Sequence, residues 1–289
     1  MAELLLTVVV STHDRPGDLA RCLRGLAALE DPVEVVVVDS APRTPNRSLV
    51  EGFGGRIAAL RYCHEPEPGL SRARNRGLAE ASCALVAFVD DDAVVARDWA
   101  RRLASAFADP EVGCGGGTCR PRFEEPRPRW LSERLLQFAG ITRIGAAPRE
   151  ARSSADYPFG ANICFRRSAL EEIDGFSERL GRSGTSLLSG EESSAIDALR
   201  ARGLRVWLQP DAVVDHTVSP ERCSSEYYWH RLWWQGISRA RQERSLRLAV
   251  RLIAAAPVRL LLWLATGDRV HLYRTAETAG YLYDLAAPR

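Results

Sequence analysis

Ala84-Leu85-Val86-Ala87-Phe88-Val89-Asp90-Asp91-Asp92 joins six apolar residues directly to three acids. An uninterrupted apolar run of this length reads as a buried strand. Ending it in a block of like charge sets that charge at the rim of a sheet, where open α/β folds bind ligands. Two carboxylates about 4 Å apart repel by roughly 4 kcal/mol at an effective dielectric near 20. The triplet therefore serves a compensating divalent cation, or else it is a solvated turn rich in Asp. If extended geometry continues past Val89, Asp90 and Asp92 fall on one face and Asp91 on the other, which gives two convergent oxygen ligands spaced as D-x-D.

Upstream of this junction, strand-like and helix-like segments alternate, the signature of an α/β fold with a mostly parallel central sheet flanked by helices. Leu4 to Val10 reads as a first strand and not a signal peptide, because no basic region precedes it and polar Ser11-Thr12-His13-Asp14 follows. Pro16 to Leu29 carries leucines at 19, 23 and 26 and reads as a helix. Val33 to Val38 is a second strand ending at Asp39, and Ile57 to Cys63 a third. Glu65-Pro66-Glu67-Pro68-Gly69 forces a turn before a helix from Leu70 to Ala81. Right-handed βαβ connections bring Ser11 to Arg15, Asp39 and Asp90 to Asp92 to one crevice.

Beyond a helix from Trp99 to Ala108 the character changes. Gly113 to Gly117 and the Pro/Arg/Glu stretch from Arg120 to Arg129 mark a boundary or crossover, and Trp130 to Phe138 looks helical. Gly140 to Tyr157 is polar and expected to be mobile. Gly160 to Phe165 suggests a short strand, Arg167 to Asp174 a helix, Arg179 to Ser189 a loop, and Glu191 to Arg202 a helix stopped by Gly203. Val206 to Leu208 and Ala212 to Val214 are two late strands, the second leading to Asp215-His216. The tail from Tyr227 is aromatic and arginine-rich. Within its apolar stretch from Leu246 to Leu264, Pro257 is expected to kink or break a helix, and the arginine-free runs are too short for a membrane span of roughly 20 residues. A helix on a membrane surface and a helix packed on the domain both remain open.

The 289 residues carry a net charge of +2, so there is no global basic field and no nucleic-acid partner is expected. All 39 basic residues are arginine. No lysine is available as Schiff base, general base or phosphate contact, and phosphate must be met by arginine, backbone N–H groups or metal. The seven scattered cysteines read as reduced thiols in a cytoplasmic protein, and Cys114 with Cys119 lacks the further ligands of a zinc site.

Four segments, Ser11-Thr-His-Asp-Arg-Pro16, Asp39-Ser40, Gly69-Leu-Ser-Arg-Ala-Arg-Asn-Arg-Gly77 and Phe88-Val-Asp-Asp-Asp92, resemble in order and spacing the nucleotide-sugar half of family 2 glycosyltransferases. Phe159-Gly-Ala-Asn162, Phe165 to Leu170, Asp174-Gly-Phe176 and Gly190-Glu-Glu192 resemble the acceptor half. The resemblance runs from about residue 4 to 216. It implies a GT-A fold with a Rossmann-like sheet: residues 1–125 as the nucleotide-sugar-binding half, 126–225 as the acceptor-binding and catalytic-base half, and 226–289 as a helical C-terminal extension. It also implies a nucleotide-diphosphate sugar donor, a divalent metal (Mn2+ or Mg2+) and inversion at the anomeric carbon. The acceptor, whether glycan, lipid-linked or secondary metabolite, is not legible. The protein would be cytoplasmic, with peripheral contact to the inner membrane face through the C-terminal helices left open.

The resemblance assigns direct metal binding to Asp92, ribose or metal contact to Asp90, and metal or diphosphate contact to His216, with Asp91 at the donor nucleotide orienting its neighbours. Ser11, Thr12, Asp14, Arg15 and Asp39 would contact the nucleotide, Asp14 standing where the family often has asparagine. Arg74 and Asn75 would bind the donor from a helix N-terminus, although Arg72, Arg74 and Arg76 also fit a solvated face. Gly160, Ala161 and Asn162 would meet donor sugar and acceptor at a tight strand start, with Asn162 free for sugar hydroxyls or else a buried structural asparagine. An inverting transfer needs a carboxylate to take the acceptor proton. The family pattern maps it onto Glu192, with Glu191 the alternative. Ser189-x-x-Glu192 is also a capping box, in which Glu192 would merely satisfy a helix start. Glutamate for the usual aspartate extends the reach by roughly 1.5 Å. A nucleotidyltransferase would show a Gly-rich loop after strand one, absent from Ser11 to Pro16; a non-catalytic sugar-nucleotide or glycan-binding module is the third reading.

Overall fold

The computed structural model describes residues 3–142 and 144–287. In chain order the elements begin β1 (Thr7–Thr12), α1 (Pro16–Leu26), β2 (Glu34–Ser40), α2 (Arg47–Glu51), β3 (Ala59–Glu65), α3 (Leu70–Glu80), β4 (Leu85–Asp90), β5 (Ala93–Val95) and α4 (Trp99–Ser105). They continue with β6 (Val112–Phe123), α5 (Glu133–Leu136), β7 (Arg149–Glu150), β8 (Ile163–Arg166), α6 (Arg167–Glu171), α7 (Glu191–Ala201) and β9 (Arg205–Val218). Three long helices close the chain: α8 (Ser225–Gln242), α9 (Leu246–Thr266) and α10 (Arg269–Ala286).

Two compact units share these elements: Met1–Pro121, Thr142–Glu178 and Glu191–Thr217 form the first, and Arg122–Ile141, Arg179–Gly190 and Val218–Arg289 the second. The sheet runs β3-β2-β1-β4-β8-β6-β9-β5, with β7 added on β9. Its first four strands are parallel, and β8 turns the direction, lying antiparallel to both β4 and β6. The apolar runs follow from burial on both faces. Val8, Val10, Val35, Val37, Ala87 and Val89 join one core with α1 and α4, while Val9, Val36, Val38, Val86 and Phe88 join the other with α3 and α7. Side chains alternate across a strand, so a strand covered on both sides reads as a near-continuous apolar run.

Four expectations change. Gly113 to Gly117 is no boundary but part of β6, a twelve-residue strand inside the sheet. A Cβ on Gly115 would press on the Phe107 ring, and one on Gly117 would overlap the Ala212 carbonyl; the glycines mark close approach, not a break. The two late strands are one, β9, which runs through Pro210, whose carbonyl accepts from Thr118 Oγ1. The segment before Tyr157, apart from Arg143, which lies outside the described residues, is tied down rather than free. β7 pairs with β9, Arg149 bonds Asp156, and the Tyr157 hydroxyl donates to Asp197. In the second unit, Leu131, Leu135, Tyr228, Leu232, Val270 and Tyr273 form a separate core. Pro257 does not end α9, which spans it without interruption. The seven cysteines are free thiols.

At the amino end of β2, away from the acidic triplet, Glu34 is buried. Burial alone would raise its carboxyl, but Thr7 Oγ1, the Ser82 N–H and hydroxyl, and the Arg61 charge outweigh it and hold it below 4.5. A carboxyl depressed in the folded state stabilises above its unfolded value and loses that contribution as pH falls through the folded value. Glu34→Gln is expected to unfold in urea with about 2 kcal/mol less stability at pH 7. Its deficit against the native chain should shrink as the pH drops below 4.5, and a pH-independent deficit would contradict this origin.

Candidate active site

Strand register builds the site. Thr12 lies beside Asp39 and Ser11 beside Asp90 in the parallel ladders, so three strand ends open at one rim. Immediately after the triplet, β5 pairs antiparallel with β9, placing Ala93 opposite His216, and the Thr217 N–H donates to the Asp92 carbonyl. That short strand carries a histidine from far along the chain to the acids.

Asp90, Asp92 and His216 each present a ligand atom, and these atoms all lie within 4.8 Å of one another. His216 Nε2 is 3.1 Å from Asp92 Oδ1 and 3.8 Å from Asp90 Oδ2. Two carboxylates and an imidazole suit Mn2+ or Mg2+ better than a thiolate-seeking metal. Burial would raise the Asp90 carboxyl, but the His216 contact and the Arg74 charge hold it below the usual aspartate value. Asp91 faces elsewhere, accepting from Thr12 Oγ1 at 2.7 Å with Arg15 Nη1 at 3.4 Å. Burial and the neighbouring Asp92 push its carboxyl up to about 7. The donor set fits a divalent ion.

Arg74 ties the two halves of the site together. Its side chain is 3% exposed, and Nη1 reaches Glu192 Oε1 at 2.8 Å and Glu191 Oε1 at 3.0 Å, while Nη2 lies 3.4 Å from Asp90 Oδ1. Burial would lower the guanidinium's affinity for its proton, but Glu192, Glu191 and Asp90 together raise it. The Phe176 ring lies under the guanidinium. Of the three α3 arginines, Arg72 reaches Glu178 and Glu67, and Arg76 pairs with Glu80 near the surface. Only Arg74 points inward.

Gly160 makes room for this cluster: a Cβ there would overlap Glu192 Oε1 and Arg74 Nη2. Gly160, Ala161 and Asn162 form a single 3-10 turn before β8, where a strand start was expected. Asn162 is fully buried and not free for a sugar hydroxyl. It accepts from Trp99 Nε1 at 2.9 Å and donates to the carbonyls of Thr118 and Ala212. Asn75 is likewise engaged, donating to the Phe176 carbonyl and accepting from its N–H, both at 2.8 Å. Among the described residues the two capping-box side chains are engaged elsewhere. Glu192 holds Arg74, while Ser189 Oγ meets Gln235 and Arg231.

Asp39 is buried and accepts from the Asn46 N–H at 2.7 Å and the Tyr62 hydroxyl at 2.9 Å. Asp14 adopts φ +53° and receives the Arg43 N–H at 2.8 Å. Supports such as Asn46, Tyr62 and Trp99 carried no signal in the sequence, because each acts on a partner that only the fold brings near.

Residues 7–174 match the family model described as glycosyl transferase family 2. A glucosyl-dolichyl phosphate glucuronosyltransferase of Haloferax volcanii is 26% identical over 218 residues, covering 74% of this chain and 68% of its own. The succinoglycan biosynthesis protein ExoM of Rhizobium meliloti is 29% identical over 244 residues, covering 82% and 75%. A mannosyltransferase from Pyrobaculum calidifontis, solved with GDP-Man and Mn2+, superposes with a TM-score of 0.64 at 22% identity, over 96% of this chain and 87% of that one. At that identity the likeness is one of fold, which is GT-A.

Gly160→Ala is expected to force Arg74 and Glu192 apart and reduce turnover by about 10²-fold, the penalty of misplacing a reacting group by about 1 Å. The fold should persist by circular dichroism. Unchanged turnover would remove the Arg74–Glu192 pair from the working site.

Proposed function

The chain belongs to glycosyl transferase family 2, and from that premise we propose that it transfers a sugar from a nucleotide-diphosphate donor to an acceptor hydroxyl with inversion, using Glu192 as general base. One observation carries the reading: Glu192 is fixed through Arg74, whose other nitrogen lies against Asp90, and its side chain is 19% exposed where that of Glu191 is 3% exposed. A base must be both oriented and reachable. Glu192 is both, whereas Glu191 serves to hold Arg74.

The donor nucleotide is assigned to the strand-end rim of Ser11, Thr12, Asp14, Arg15 and Asp39, with the diphosphate beside Asp90 and Asp92. Those two acids and His216 would hold Mn2+ or Mg2+, which when bound neutralises charge gathering on the departing diphosphate. Arg15, half exposed beside Asp91 and Asp92, is placed to meet a phosphate oxygen. The acceptor oxygen forms its bond to the anomeric carbon as its proton passes to a Glu192 carboxylate oxygen. The bond from that carbon to the diphosphate oxygen breaks, and its electron pair leaves on the nucleotide. Asn162 and Asn75 act as braces: one seats the Gly160 turn, the other holds Phe176 under Arg74.

The acceptor half is assigned to residues 126–225. A lipid-linked or free glycan is the acceptor class proposed, supported by the dolichyl phosphate in the name of the Haloferax relative and the succinoglycan in that of the Rhizobium relative.

Glu192→Gln should lower kcat by about 10²–10⁴-fold, the usual contribution of a general base. Donor affinity, read by calorimetry with manganese present, should stay within about twofold, because glutamine keeps an acceptor for Arg74. Glu191→Gln should cost less in kcat. Near-native turnover by the Glu192 variant would refute the base assignment.

A further inference from the structure

The geometry points to α9 as a docking face for an anionic lipid surface, on which the helix lies without crossing. The inference is independent of the Glu192 assignment and rests on the second unit alone. The most apolar 18-residue stretch of α9 has a mean hydropathy of 1.8, yet only 11% of it is buried. Leu246, Val250, Leu261 and Leu264 are 77%, 65%, 65% and 67% exposed. At roughly 100° per residue, these four together with Ile253 and Pro257 fall within an arc of about 80°. The flank away from Arg247 and Arg251, through Ala249 and Leu252, packs with Ala240 and Tyr281. An apolar stripe so continuous is not ordinary surface.

Charge selects the occupant. Arg247 and Arg251 are exposed and lie about 100° and 140° round from Leu246, along one flank of the stripe. A helix with its apolar side immersed and arginines along the flank suits an interface, where the guanidinium groups meet headgroup phosphates. Each such arginine strengthens binding to an anionic surface about fivefold. Length and composition alone would also allow α9 to cross a bilayer. Against crossing, Arg259 bonds the Arg274 carbonyl and Thr278 Oγ1 of α10, and α10 itself carries Arg269, Arg274, Glu277 and Asp284. A crossing α9 would carry these charges into hydrocarbon.

The test is flotation of the full chain with vesicles of phosphatidylcholine and phosphatidylglycerol in equal parts, and with phosphatidylcholine alone. The native chain should float with the anionic vesicles and at least about tenfold less with the neutral ones, or in high salt. Val250→Glu/Leu261→Glu and Arg247→Glu/Arg251→Glu should each reduce flotation at least about tenfold. All four positions are exposed, so helicity by circular dichroism and turnover of a water-soluble acceptor should be unchanged. The proposal is overturned if the native chain does not float, or if the Val250/Leu261 variant floats equally well. It is also overturned if the native chain is a dimer that this variant converts to monomer, because a second copy then covers the face. Each of these results leaves the kinetics of Glu192→Gln untouched.

Discussion

The site depends on one buried positive charge. Arg74 lies on a helix over the sheet with its guanidinium out of water, an arrangement that costs several kcal/mol unless the charge is met. Glu191 and Glu192 meet it from α7 and Asp90 from the end of β4. The interaction therefore fixes distances as well as charge: it sets the start of α7 against the end of β4, and so the proposed base against the proposed metal ligands. Gly160 and Phe176 shape the space in which that can occur. Removing Arg74 itself breaks the buried cluster outright, at a cost of about 3–5 kcal/mol.

The acidic triplet divides its labour by direction. Asp90 and Asp92 turn toward His216, and Asp91 turns toward Thr12 and Arg15. The alternation expected from extended backbone survives, although β4 ends at Asp90 and a turn follows. What keeps Asp92 near His216 is the short β5, whose pairing with β9 continues the sheet just beyond the turn.

The donor half of the fold was legible because its signals are local. Strands buried on both faces carry long apolar runs, and the leucines at 19, 23 and 26 sit on the buried side of α1. The acids at strand ends could be placed because parallel connections are right-handed. What was illegible is non-local. Nothing near Arg74 separates it from Arg72 and Arg76, because its partners lie 117 and 118 positions away. Gly113 to Gly117 looked like a break because glycine marks turns as often as it marks close packing, and only Phe107 and Ala212 decide between them. Asn162 and Asn75 looked free for a ligand because their backbone partners are distant in sequence. Pro210 split β9 on paper, although proline removes a single donor and its φ remains compatible with a strand.

The central claim is that the rim formed by Asp90, Asp92 and His216 binds a nucleoside diphosphate through a divalent ion. The most direct measurement is the unfolding temperature of the chain against a panel of nucleoside diphosphates, each with and without manganese. Binding to the folded state alone raises that temperature by mass action. The account predicts that at least one diphosphate raises it by several degrees only when manganese is present, and that Asp92→Asn abolishes this joint effect. Stabilisation by none of them, or by a diphosphate equally well without the metal, would contradict it.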